Sequence, residues 1–213
     1  MPRRSIDVEG QQDASAMTAD TMLLNLDGYT DLPAGKIAAV VTYLEMRGPP
    51  VAAISDPLPL RPVADPDLGW YRRFYAAIGL DWLWTSRLLM DDAALAAILH
   101  RPGNALFVAE GEAGIVELDR RNPADVEISF FGLVPEATGK GLGPRMMAAA
   151  LHQAWRPETR RVWLHTCTLD HPAALSFYRR CGFTPFRRAL EVMDDPRISG
   201  AIPREAAPRI PVI

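Results

Sequence analysis

Residues 133–145 read LVPEATGKGLGPR and carry the strongest fold signal in this sequence. It places three alternating glycines, Gly139, Gly141 and Gly143, between a predicted strand and a helix that begins near Pro144. Glycine lets the backbone approach a ligand closely, and the amides at a helix start carry a partial positive charge that suits a pyrophosphate. The alternative interpretation is a tight turn that needs glycine only for its geometry.

Two well-known phosphate-binding loops do not fit this stretch. A P-loop requires Ser or Thr after glycine-lysine, whereas Lys140 is followed by Gly141. A dinucleotide-binding loop requires a glycine at the position of Pro144. The loop therefore predicts a phosphate-binding site of another kind.

The chain around the loop alternates between strand and helix patterns. Apolar, β-branched runs predict strands, and helical periodicity with terminal signals predicts helices. In chain order we expect a strand at Lys36–Met46, a proline-broken segment through Pro57, Pro59, Pro62 and Pro66, helices at Trp70–Ile78 and Asp91–His100, a hairpin of Asn104–Glu110 and Gly114–Asp119, a strand at Val126–Val134, a helix at Pro144–Trp155, a strand at Arg161–Thr168, a helix at Pro172–Arg180 and a strand at Phe183–Met193. This order indicates an α/β or α+β sheet with helices on its faces.

The composition is that of an ordinary globular protein. Of its 213 residues, 48% are hydrophobic and 23% charged, which is enough apolar material for one large core. We expect a disordered leader over residues 1–19, a single domain over 20–193, and a tail rich in proline and arginine over 194–213 that adds little to the core.

Charge and cysteine content exclude several function classes. The net charge of −3 gives no overall basic field for nucleic acid, and no apolar run is long enough to span a membrane. Cys167 and Cys181 lack metal-binding spacing, as do the four histidines, so we expect no metal. Two reduced thiols and no secretory signal predict a cytoplasmic protein.

A second block, DHPAALSFYRRCGF at residues 170–183, follows the strand predicted at Arg161–Thr168. Together the two blocks resemble the GNAT acyltransferase superfamily. Its first signature is a strand ending in V-x-P, followed by R/Q-x-x-G-x-G/A, and its second is N-x-x-A-x-x-x-Y-x-x-x-G-F. The resemblance covers about residues 36–193 by element order and is specific from about Glu127 onward. Thr138 replaces the usual Arg or Gln, Pro144 removes one N–H, and we align Asp170 with the usual Asn.

The resemblance implies a mixed, mostly antiparallel central sheet whose two splayed strands, 126–134 and 161–168, are flanked by helices. It implies that acetyl-CoA enters the split as co-substrate, with its pantetheine arm along the first of these strands and its pyrophosphate on the glycine loop. The cofactor contacts assigned in this way are Leu133, Val134, Thr138, Gly139, Lys140, Gly141, Leu142, Gly143, Asp170 and Ala173.

The implied activity is direct transfer of an acetyl group, in a ternary complex, to an amine of a small molecule or peptide. Such a reaction needs a base for the ammonium, a hydrogen-bond donor for the thioester oxygen and an acid for the leaving thiolate. Tyr178 aligns with the acid of the family, and its alternative role is packing. Glu127 resembles the base of some members, Glu117 is a second candidate, and water is a third. The alternative role of either glutamate is a solvated outer face.

Strand alternation predicts which side chains share a face. It groups Ile115, Glu117 and Asp119 on one strand, and Glu127, Ser129, Phe131 and Leu133 on the next. It also groups His165 with Trp163 and Cys167. We interpret His165 as a hydrogen-bonded core residue, and the alternative is that it acts as a base. The aromatic segment from Trp70 to Arg87 covers the acceptor site in the family, and the alternative is that it forms the core between helices.

Two other functions stay open at this point. The first is a catalytically weak or inactive acyl-CoA sensor, which the departures at Thr138, Pro144 and Asp170 suggest. The second is a structural domain with an empty cleft. The sequence identifies neither the acceptor nor the acyl chain. Homodimers are common in the family, but the sequence marks no interface.

Overall fold

The computed structural model describes residues 24–50 and 56–213, in two units. Residues 24–32 belong to the first unit, and the second, Pro33–Ile213, contains every helix and strand described below. The leader expected over residues 1–19 lies outside the described residues. No helix among the described residues has the length and apolar character to cross a membrane.

The helices and strands closely follow the sequence pattern. They are β1 (Lys36–Met46), β2 (Leu60–Val63), α1 (Leu68–Gly79), α2 (Asp92–Leu99), β3 (Asn104–Ala109), β4 (Gly114–Asp119), β5 (Asp125–Leu133), α3 (Leu142–Ala154), β6 (Arg161–Cys167), α4 (Ala174–Arg180) and β7 (Thr184–Asp194). Strand β2 was not expected, because its segment is rich in proline. It forms one edge of the sheet, where Pro62 is tolerated because an edge strand need not use every N–H.

The seven strands form one sheet in the order β2-β3-β4-β5-β6-β1-β7. Only β5 and β6 are parallel, and every other neighbouring pair is antiparallel. The expected mixed, mostly antiparallel α+β fold is therefore confirmed. The first strand of the chain lies between the last two, so residues far apart in sequence share the half of the sheet beyond β6.

Helices cover both faces of the sheet. On one face, here called the α3 face, Met146, Met147 and Tyr178 pack with Leu44 and Leu164. On the other, the α1 face, Tyr71, Tyr75 and Leu95 pack with Leu106 and Ile115. The side chains of β3 and β4 alternate between these two clusters, and strand pairing extends the assignment of faces to the other strands.

The C-terminal segment contributes to the core, so the expectation that it adds little is wrong. Ile202 and Ala207 are buried in a third cluster with Ile37 and Leu169. Arg197, which is 1% exposed, donates to both oxygens of Asp195 and to the carbonyls of Ala206, Ala207 and Ile210. One buried guanidinium thus satisfies carbonyls that proline-rich irregular backbone leaves without partners.

We predict that Arg197→Ala lowers the free energy of unfolding by about 3 kcal/mol, because it leaves the Asp195 carboxylate buried without its partner. Urea denaturation measures the change, with Arg204→Ala as a control in the same segment. Arg204 is exposed, and its replacement should change stability by less than about 0.5 kcal/mol. Equal effects of the two substitutions would contradict a structural role for Arg197.

Candidate active site

The parallel strands β5 and β6 separate soon after they begin. They pair only at Asp125–Arg161, Val126–Val162 and Glu127–Trp163, although β5 continues to Leu133 and β6 to Cys167. Beyond Glu127 their facing backbone groups therefore lack a strand partner across the gap. Buried or half-buried backbone groups require hydrogen-bond partners. The split is therefore a place where an extended ligand can bind as a strand would.

The glycine loop lies at the end of β5, between that strand and α3. Thr138 closes the first turn of the loop. The Thr138 amide donates to the carbonyl of Pro135, and the Thr138 hydroxyl donates to the carbonyl of Val134. Gly139 and Gly141 then adopt φ of +78° and +75°, a conformation that L side chains rarely adopt. A Cβ added at either glycine would meet no atom within 4 Å, so the loop faces open space.

The amides from Gly139 to Gly143 donate to no acceptor in the described part of the chain. Gly141 is the N-cap of α3 and supplies no side-chain cap, so the first amides of the helix remain available. The positive end of the helix dipole adds to their partial charge. Lys140 is exposed beside them and has no acidic partner within salt-bridge distance among the described residues. This arrangement suits a phosphate or pyrophosphate.

Glu127 occupies the point where the two strands part. Its side chain is 22% exposed, and its Oε1 lies 3.8 Å from Nδ1 of His165 on β6. Burial raises the pKa of the Glu127 carboxyl, and nearby Asp119 raises it further, while Arg121 and Arg87 oppose the shift. A half-buried carboxylate whose pKa is raised is a stronger proton acceptor than an ordinary glutamate.

The expected grouping of Glu127 with Phe131 and Leu133 on one face is wrong. The register of β4 and β5 shifts between Glu117 and Leu118, which pair with Phe130 and Ile128 and leave Ser129 as a bulge. A bulge adds one residue to one strand and reverses the alternation beyond it. Phe131 and Leu133 consequently pack on the α3 face, whereas Glu127 points to the α1 face.

Glu117 lies on the same α1 face but has no access to a substrate. Its side chain is fully buried, with Oε2 accepting from the Tyr71 hydroxyl at 2.8 Å and Oε1 from Arg87 at 2.7 Å. Both oxygens are therefore occupied by the protein. The grouping of Glu117 with Ile115 is confirmed, since Ile115 belongs to the α1-face cluster. Of the two candidate bases, the geometry favours Glu127.

Tyr178 lies on α4, on the face of the sheet opposite to Glu127. It is 9% exposed and packs edge-on against Phe131, Phe177 and Phe183. Burial raises the pKa of its phenol, and the charge of Asp170 adds to that effect. The hydroxyl thus stays protonated at neutral pH and can act as a donor. The packing role expected as the alternative is present, and it does not exclude the acid role.

Asp170 organises the loop after β6. One carboxylate oxygen accepts from the Thr166 hydroxyl and the Cys167 amide, at 2.7 Å and 2.8 Å, and the other accepts from Trp84 Nε1 at 2.8 Å. Trp84 also packs against Phe130 of β5. The indole therefore links the two separated strands on the α1 face. Trp84 belongs to the aromatic segment predicted from sequence, but its bond to Asp170 was not predicted, because no motif marks a partner 86 residues away.

The alignment of Asp170 with the family's Asn is wrong by one position. The segment 170–183 is one residue longer than the pattern, and Tyr178, Gly182 and Phe183 keep their register only if His171 takes the Asn position and Ala174 the Ala position. His171 is exposed, and its Nδ1 accepts from the amide of Ala173 just before α4. A contact of Ala173 with the cofactor remains a prediction.

The remaining candidates divide between core and surface. Tyr71 and Tyr75 are fully buried, so for them the core interpretation is confirmed. His165 is 47% exposed, so its interpretation as a core histidine is wrong. Its ring and that of Trp163 both lie near Tyr43, which confirms that they share a face. Among the described residues, no group of three or more side chains could hold a metal.

We predict that Glu117→Gln and Glu127→Gln have opposite effects on stability. Glu117→Gln leaves Arg87 buried without its charged partner and should cost about 3 kcal/mol. Glu127 has a raised pKa, so its ionised form is disfavoured in the folded state at neutral pH. The neutral amide should therefore leave stability unchanged or raise it slightly. Urea denaturation at pH 7 measures both, and a large loss from Glu127→Gln would contradict this assignment.

A family profile and a curated protein both match parts of this chain. The profile of the acetyltransferase (GNAT) family matches residues 70–183, more than half of the chain. A mycothiol acetyltransferase from Arthrobacter sp. (strain FB24) is 37% identical over 79 residues, which are 37% of this chain and 24% of that protein. The match thus spans about a quarter of the length of this curated relative.

Solved structures share the fold at low identity. A protein from Novosphingobium aromaticivorans assigned to the GNAT family is 17% identical, with a TM-score of 0.53 over 78% of this chain and 70% of that one. A GCN5-related N-acetyltransferase from Sphaerobacter thermophilus is also 17% identical, with a TM-score of 0.50 over 74% of this chain and 51% of that one. With the family profile spanning the glycine loop, both separated strands and α4, the chain belongs to the GNAT acetyltransferase family.

Proposed function

We propose that the protein is an N-acetyltransferase that moves the acetyl group of acetyl-CoA directly to an amine of a small molecule or peptide. One observation carries the proposal. The split between β5 and β6 has the amides of the glycine loop at its outer end, and a carboxylate and a phenol on opposite faces of the sheet beside it. A thioester in the split would have a proton acceptor on one side and a proton donor on the other.

The cofactor would bind through backbone groups. The amide-bearing pantetheine arm would pair with the edge of β5 near Leu133 and Val134, which faces the gap left by β6. The pyrophosphate would accept hydrogen bonds from the amides of Gly139–Gly143, and Lys140 would supply a charge. Pro144 lies one residue beyond these amides, so its missing N–H leaves the five of them in place. Thr138 uses its hydroxyl within the turn, which rigidifies the loop without contacting a phosphate.

The proposed chemistry has three proton and charge requirements. Glu127 would take the proton of the ammonium, directly or through a water molecule, from the α1 face. A backbone N–H of β5 that faces the split would stabilise the negative charge on the thioester oxygen. Tyr178 would donate its proton to the leaving thiolate of CoA from the α3 face. The C–S bond breaks as the C–N bond forms, and no acyl group is held by the protein.

Direct transfer is favoured because neither cysteine is activated. Burial raises the pKa of the Cys167 thiol to about 11, and burial also raises that of Cys181 to about 11. Only the thiolate is a competent nucleophile, and at pH 7 both groups stay protonated. Neither thiol is therefore suited to form an acetyl-enzyme intermediate.

We predict that acetyl-CoA stabilises the wild type and fails to stabilise Gly141→Trp, because the indole would fill the open space that the loop faces. A thermal-shift titration measures this, and a ligand at a hundredfold excess over its Kd should add about 2.7 kcal/mol of stability. Gly200→Trp is the matched control. Gly200 has φ of +73° with no atom within 4 Å of an added Cβ, and it lies outside the loop.

The two variants separate a blocked site from backbone strain. Loss of the acetyl-CoA shift in Gly141→Trp alone supports the loop as the cofactor site. No shift of the wild type at millimolar acetyl-CoA would overturn the proposal. Binding without turnover across a broad panel of amines would instead indicate an acyl-CoA sensor.

We predict that Glu127→Gln lowers kcat/KM by about a hundredfold, in the usual range for removal of a general base. In the wild type, kcat/KM should fall on the acid side as Glu127 becomes protonated. Because its pKa is raised above 4.5, this fall should occur at a higher pH than for an ordinary glutamate. The pH profile of initial rates measures it, and Glu127→Gln should lose this limb while keeping the acetyl-CoA thermal shift. An unchanged profile in Glu127→Gln would contradict the assignment of Glu127 as the base.

A further inference from the structure

An aromatic surface extends from Glu127 across β6, β1 and β7 on the face to which Glu127 points. It consists of Trp163 and His165 of β6, Tyr43 of β1, and Phe186 and Arg187 of β7, and we call it the aromatic shelf. None of its residues belongs to the buried clusters of the described chain. Its position next to Glu127 makes it the surface on which an acceptor would lie.

Strand register places the members of the shelf in a row. Tyr43 pairs with His165 on one side and with Arg187 on the other. The ring of Tyr43 lies 5.7 Å from that of His165, 6.3 Å from that of Trp163 and 6.2 Å from that of Phe186. His165 in turn lies 3.8 Å from Glu127. The row therefore leads from the proposed base to Arg187.

Arg187 is the cation of this row without an acidic partner. Its guanidinium carbon lies 3.9 Å from the centroid of the Tyr43 ring, and the residue is exposed. Among the described residues no carboxylate lies within salt-bridge distance of it, whereas neighbouring Arg161 is paired with Asp125 and Glu45. Stacking on an aromatic ring fixes the plane of a guanidinium and leaves its N–H groups free to donate.

The spacing of the strands sets the distance between His165 and Arg187, the two residues that flank Tyr43 in the row. Neighbouring strands are about 4.8 Å apart, so β6 and β7, with β1 between them, are separated by roughly 10 Å. An extended chain spans about 3.3–3.6 Å per residue, so this is roughly the reach of three residues. A single unpaired guanidinium balances one negative charge and binds a carboxylate through two parallel hydrogen bonds.

We infer that the acceptor carries a carboxylate roughly 10 Å from its amine, and that Arg187 binds this carboxylate. The inference rests on the proposed transferase function. The amine lies at His165, whose Nδ1 is 3.8 Å from the Glu127 carboxylate; the body of the acceptor passes beside Tyr43, whose ring Arg187 already covers, and the carboxylate meets the free N–H groups of Arg187. The substrate class is thus a peptide-like or extended amino acid with free amino and carboxyl ends.

The test measures acceptor binding apart from turnover. Trialanine and trialanine amide are titrated by calorimetry into protein saturated with carba(dethia) acetyl-CoA, which cannot transfer its acyl group. Trialanine should bind about tenfold more tightly than its amide. Arg187→Ala should abolish the difference, and Arg187→Lys should restore part of it. Arg188→Ala is the matched control, because Arg188 pairs with Thr42 and points to the opposite face.

Turnover of the same two peptides with acetyl-CoA separates this inference from the proposed function. Tighter binding of trialanine than of its amide, lost in Arg187→Ala, supports the inference whether or not the peptides are acetylated. Acetylation of both peptides with equal binding overturns the inference and leaves the transferase function intact. The inference is also overturned if Arg187→Ala and Arg188→Ala change the ratio of the two peptide affinities equally. It is overturned as well if neither peptide binds. Arg187-dependent binding without acetylation would count against the transferase function alone.

Discussion

The structure depends on one constraint, the early end of the hydrogen-bond ladder between β5 and β6 after Glu127–Trp163. Beyond the break each strand stays paired on its outer edge, β5 with β4 and β6 with β1. Their inner edges are left with backbone donors and acceptors that need partners. The proposed cofactor path and the position of Glu127 at the point of separation both follow from this one break in the sheet.

Two glutamates on one face of neighbouring strands show how environment assigns roles to identical side chains. Glu117 is fully buried, and its charge is balanced by Arg87 and a hydroxyl, so it contributes to stability and is closed to substrate. Glu127 is half-buried and lacks a comparable partner, so burial raises its pKa. Desolvation without compensation costs stability but leaves a group that can exchange protons, which is a common compromise at functional sites.

The ends of the described chain also shape the site. Because β1 lies between β6 and β7, it contributes Tyr43 to the aromatic shelf and brings Arg187 into line with His165. From the C-terminal segment, Arg209 donates to the carbonyls of Asp81 and Leu169 and lies 4.5 Å from the ring of Trp82. These contacts hold together the two segments that carry Trp84 and Asp170, the pair that links the separated strands.

Sequence alone predicted the helices, the glycine loop and six of the seven strands, because hydrophobic period, glycine at helix starts and proline in first turns are local signals. The edge strand β2 was missed because its segment is rich in proline. It also identified Tyr178 and Glu127, since each lies in or near a motif with fixed spacing. Tertiary structure decided what local signals do not encode. A bulge reversed the face of Phe131, an ion pair with Arg87 enclosed Glu117, and strand order brought Tyr43 and Arg187 beside His165. Each of these depends on pairing between residues distant in the chain, for which the period of a single strand carries no information.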